Sequence, residues 1–137
     1  MKRANLQLGL IQLLVVIGAI PAGYLFLSAP DGSKLGMTVE ALAGSPFKDY
    51  FIPGLYLFIV NGLFNLVASI LTLYKFKYSS FIGMALGLSL IVWVSVQVYS
   101  VGLTHFLQPT YFIIGIAEIV LSISIFRSEK LKNIINN

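Results

Sequence analysis

In four places this sequence runs for eighteen residues or more almost without a charge, and that pattern leaves few folds open. A helix needs about 20 mostly apolar residues to cross the hydrocarbon core of a bilayer. In lipid no water meets the backbone N–H and C=O groups, so a run that spans it as a single element is a helix. Composition agrees. Of 137 residues, 58% are hydrophobic and only 10% charged, too few charges to cover a soluble domain of this size. The expected fold is all-α, a polytopic membrane protein. It is one antiparallel four-transmembrane-helix bundle with a long outer loop between helices 1 and 2.

In chain order the spans are read as residues 6–27, 53–74, 81–101 and 109–126, with a loop at 28–52 and a tail at 127–137. The first span follows a basic start, Lys2-Arg3, as a signal peptide would. Its apolar run is longer than a signal sequence needs, and no small-x-small cleavage site ends it, so it is read as a retained helix. Gln7, Gln12, Gly18, Pro21 and Gly23 interrupt it. Pro53 and Pro109 suit the first positions of the second and fourth helices. In the long loop, Pro30-Asp31-Gly32 is turn chemistry. Residues 37–43 could form two helical turns, with Thr38 as N-cap and Gly44 as the stop. The tail, with Leu131, Ile134 and Ile135, is expected to fray or to lie on the lipid surface.

The basic residues set the orientation. Lys2, Arg3, Lys75, Lys77, Arg127, Lys130 and Lys132 flank one side, whereas Lys34 and Lys48 are on the other. Positive charge collects on the cytoplasmic side, so both termini are placed in the cytoplasm of a multi-pass protein of the cell membrane. Flanking charge of this kind is a topology signal, and no nucleic-acid partner is expected. The chain has no cysteine and one histidine. Disulfides, thiolate metal sites and bis-histidine haem are therefore excluded within one chain, and no metal or cofactor is expected.

Glu118 sits at the middle of the fourth span, where an acid costs roughly 2.5–3.5 kcal/mol or more unless the bundle satisfies it. At helical spacing it shares a face with Tyr111, Gly115 and Ser122. On the second helix Asn61 and Asn65 lie one turn apart, on a stripe with Gly54, Phe58, Ala68 and Thr72. On the third, Trp93 and Gln97 are four apart, and Gly83 and Gly87 form a small-xxx-small pair. Counting about 1.5 Å per residue puts Asn61, Asn65, Trp93 and Glu118 in one band, with Gln97, Tyr99, Tyr56, Tyr24 and His105 above it. A polar cluster that opens outward beneath a loop has the shape of a binding pocket. Its expected ligand set is Glu118, Asn61, Asn65, Trp93, Gln97 and Tyr111. Gly83, Gly87 and Gly115 are expected to pack helices, within the bundle or in a homo-oligomer. His105 is read as a wet loop residue.

Several segments carry a resemblance: Pro30-Asp31-Gly32, Leu35-Gly36-Met37, Ser45-Pro46-Phe47, Ile52-Pro53-Gly54, and Trp93 with Gln97. In these the chain resembles the small bacterial four-helix membrane proteins grouped as DoxX-like. More loosely, its architecture is similar to the sterol isomerase and sigma-2 receptor fold, which implies an intramembrane pocket with buried acids for an amphipathic amine or sterol. That fold uses more than one acid where this chain has Glu118 alone.

Three functions compete. The first is a membrane protein whose pocket binds a small lipophilic or amphipathic molecule such as a lipid, a quinone or an amine. The second is a packing subunit or oligomeric channel or transport component, within a homo-oligomer or larger membrane complex. The third is an enzyme with Glu118 as general acid/base, for which Tyr111 and His105 are the candidate second proton-handling groups. In each, the lipid bilayer is a partner.

Overall fold

The computed structural model describes residues 2–103 and 107–136, all of whose regular structure is helical. The long helices are α1 (Lys2–Ser28), α2 (Phe51–Leu73), α3 (Ser79–Val101) and α4 (Leu107–Asn136). All four are long and apolar enough to cross a membrane. Their outward faces are rich in exposed Leu, Ile, Val and Phe, as suits a surface in contact with lipid.

Each helix starts before the span that hydropathy marks. α2 begins two residues ahead of Pro53, and the Phe51 N–H is received by Asp49 Oδ1 at 3.0 Å. Pro53 stays in the first turn, where its missing N–H costs nothing. The described part of the tail does not fray. It continues α4 as helix to Asn136, because no Gly or Pro follows Gly115 to stop it.

α2 is wound unevenly. Between α-helical Phe51–Tyr56 and Asn65–Leu73, residues Leu57–Phe64 form a π-helix, with i→i+5 bonds and a looser turn. Leu57, Asn61, Asn65 and Ser69, each four apart, are consequently all buried. Regular 3.6-residue winding would carry such a row around the helix.

α1 packs along α2, and α3 along α4; looser α1–α4 and α2–α3 contacts complete the bundle. Ser69 Oγ donates to the Gly9 carbonyl at 2.8 Å, and Asn5 Nδ2 to the Thr72 carbonyl at 3.2 Å, both between α1 and α2. At the α3–α4 seam the backbones nearly touch. A Cβ on Gly87 would stand 2.8 Å from the Gly115 carbonyl oxygen, and one on Gly83 would overlap Ser122 Oγ. This small-residue face is thus filled by α4 of the same chain.

The long loop is an ordered cap. Its two 3-10 turns are Ser33–Leu35 and Val39–Leu42, the second standing where two α-turns are expected. Thr38 is its N-cap, though its side chain makes no capping bond. The Thr38 carbonyl instead receives the Ala41 N–H and the Tyr50 hydroxyl, at 3.3 and 2.9 Å, which favours the tighter turn. Tyr50 anchors the cap. Its ring stacks on Phe26 at 5.0 Å, its N–H reaches the Pro30 carbonyl at 2.8 Å, and burial pushes its phenol pKa up. Gly32, at φ 82°, fits beneath the ring where a side chain would collide.

Candidate functional site

Under the cap, the four helices part around a cavity of about 450 Å³. Leu35, Gly36 and Met37 cover one end. Val15 and Leu90, both almost fully buried, are the lining residues of α1 and α3 farthest from the cap. Asn61, Trp93, Gln97, Gln108 and Tyr111 contribute the polar atoms of its wall, and Ala19, Leu57 and Val94 much of the apolar remainder. The Tyr111 ring lies over Gly18, whose missing side chain leaves room for its hydroxyl. Among the described residues no charged side chain lines the cavity.

Beside it is a smaller cavity of about 190 Å³, between the cap, the start of α2 and the end of α3. Phe26, Trp93 and Gln97 line both. Trp93 is held in that shared wall by its Nε1, which donates to the Pro53 carbonyl at 3.4 Å. One helical turn along, the Tyr56 hydroxyl bonds Ser89 and ties α2 to α3.

The Asn61 amide is fully buried, yet neither its Nδ2 nor its Oδ1 has a partner among the described residues. Such a group costs about 1–3 kcal/mol unless something pairs with it. Its backbone carbonyl is used, receiving Asn65 Nδ2 at 3.1 Å.

Glu118 and Asn65 do not line the cavity. Glu118 packs against Gly87, about one turn before the lining residue Leu90 on α3, and Asn65 is one turn on from Asn61 along α2. Gln12 is three residues from Val15, about 4.5 Å along α1, and its amide is near enough to the Glu118 carboxyl to interact with it. The two do not close a hydrogen bond: both carboxyl oxygens and both Gln12 amide atoms lack a partner among the described residues. Ser122 Oγ donates to the Glu118 backbone carbonyl at 2.6 Å. Farther from the cap, Thr72, Ser79 and Ser80 bury further hydroxyls.

Of the residues singled out from sequence, then, Asn61, Trp93, Gln97 and Tyr111 meet at the cavity. Glu118 and Asn65 lie below it, and Gly83, Gly87 and Gly115 sit in the α3–α4 seam. Tyr24 and Tyr99 face outward, 60% and 77% exposed, so neither joins the cluster. His105 lies outside the described residues. Gln12 and Gln108 were legible only in part. Gln12 stands on the stripe Asn5, Leu8, Gln12, Val15, Ala19, all buried at helical spacing. Among the described residues no three His, Cys, Asp or Glu side chains gather.

Comparison with known proteins finds no match: no protein-family model, no curated protein and no solved structure aligns with the chain.

Proposed function

We propose that the chain is a small integral membrane protein, an antiparallel four-helix bundle with both termini in the cytoplasm. Its outward cavity holds a small, uncharged amphipathic molecule of the lipid or quinone class. The observation that carries this reading is the unpaired Asn61 amide on the wall of an otherwise apolar cavity of about 450 Å³. A ligand with a carbonyl or hydroxyl at one end would pair with that amide once the side chain turns into the cavity, and its hydrocarbon would fill the rest. The uncharged lining argues against an amine, since a buried cation needs a compensating charge. The DoxX-like resemblance stands with this reading, as a kinship proposed on the cap and on Trp93 with Gln97.

The chain has a single tryptophan, and it lines the cavity. Trp93 emission can therefore report occupancy directly. Titration with a brominated long-chain alcohol should quench it saturably, and Asn61→Leu should weaken the binding. Quenching that never saturates, or that is the same in both proteins, would mean only partition into detergent and would sink the proposal.

A further inference from the structure

The layer below the cavity asks for a different occupant. Glu118 is the one ionisable side chain that is fully buried among the described residues. Two of its flanks are closed by neighbours: Gly87 of α3 lies against its Cβ, and Ser122 bonds its backbone carbonyl. The Gln12 amide of α1 approaches its carboxyl. Asn65 of α2 comes within about one turn of Gln12 along α1: Ser69 bonds the Gly9 carbonyl and Gly62 packs on Ile20, so Asn65, between them, falls near the level of Val15.

These groups present a surplus of oxygen. Asn65 Nδ2 is tied to the Asn61 carbonyl, which sets the orientation of the amide and leaves Oδ1 as its acceptor. That Oδ1, Gln12 Oε1 and both Glu118 oxygens are buried without a partner among the described residues. When ionised, the layer carries one negative charge, and among the described residues no Lys or Arg is buried with it. One positive charge bound by oxygen would balance it, whereas a divalent ion would leave an excess charge in apolar surroundings. Carboxylate and amide carbonyl oxygens suit a hard cation. Gln12, Asn65 and Glu118 line neither cavity and are fully buried, so an ion fits the site better than a second organic molecule.

We infer that this layer binds one monovalent metal cation of the sodium class. Glu118 is the charged ligand, and Gln12 and Asn65 supply carbonyl oxygens. The ion would join α1, α2 and α4, which carry these three residues. Asn61 would have two roles, its side chain on the cavity wall and its backbone carbonyl orienting Asn65. The site does not depend on the identity of the cavity ligand.

The test is made on the purified full chain in mild detergent, over a range of pH. Melting is followed as sodium chloride replaces choline chloride at constant ionic strength, and radioactive sodium is counted on the protein. The expected result is a saturable rise of several degrees with one sodium per chain, lost in Glu118→Gln and weakened in Asn65→Leu. If Glu118→Gln fails to fold, the sodium–choline difference of the wild type still decides. Equal melting in both salts would overturn the site and leave a proton as the partner of Glu118. Equal sodium binding by wild type and Glu118→Gln would also overturn it. Because the cavity titration with brominated alcohol can be run in choline, failure here is separable from failure there.

Discussion

On the cap side of Val15 and Leu90 the helices part around a cavity walled mostly by carbon; on the far side the same helices close on buried oxygen and nitrogen. Side-chain size accounts for the contrast. In the far half Gly83, Gly87 and Gly115 let α3 and α4 approach to backbone contact. In the capped half Trp93, Gln97, Leu107 and Tyr111 occupy the corresponding faces and hold the helices apart. The π-wound part of α2 flanks the cavity and keeps Asn61 turned inward. Small residues therefore make the layer suited to an ion, and bulky ones make room for a molecule.

Substitutions that add carbon should separate the halves most sharply. Gly87→Leu meets the Gly115 backbone, which cannot rotate away, and should cost about 3 kcal/mol or prevent folding. Its unfolding in denaturant would show this, and a stability equal to wild type would mean that the α3–α4 seam has room for a side chain. Tyr50→Phe keeps the stack on Phe26 but removes the bond to the Thr38 carbonyl, for a loss of about 1 kcal/mol. Ala19→Phe adds a ring beside the cavity and should change stability by less than about 1 kcal/mol, because the space receives it. A cost like that of Gly87→Leu would show the cavity to be closed.

The smallest effect is a pH effect in the cap. The Asp31 carboxyl is held below its ordinary 3.8, chiefly by the Ser33 N–H that it receives at 2.9 Å. A depressed carboxyl contributes its stability above the ordinary value and loses it as pH falls through the folded one. The Ser33 amide proton resonance should therefore move only below that ordinary value. A shift near neutrality would mean that the turn is held by something else.

The helices were legible in the sequence because length and apolarity decide what can cross a bilayer. Their ends were less so, because hydropathy marks lipid contact and not where backbone bonding begins. The faces of Asn61, Trp93, Gln97 and Tyr111 followed from helical spacing. Depth did not: a count of residues put Glu118 level with Asn61, whereas Asn61 lines the cavity and Glu118 packs on Gly87, about one turn before the lining residue Leu90. Gln12 was hidden for a related reason. Beside Gln7 it reads as one more interruption, yet Gln7 is exposed and Gln12 wholly buried. The π-helix has no residue signature in Leu57–Phe64.

Native mass spectrometry of three proteins decides whether cavity and acid are separate sites. Wild type, Ala19→Phe and Glu118→Gln would be purified alike and their bound small molecules identified. An uncharged amphipathic molecule is expected on wild type and on Glu118→Gln, and none on Ala19→Phe. A molecule lost from Glu118→Gln but kept by Ala19→Phe would contradict it and make the acid the anchor of the ligand.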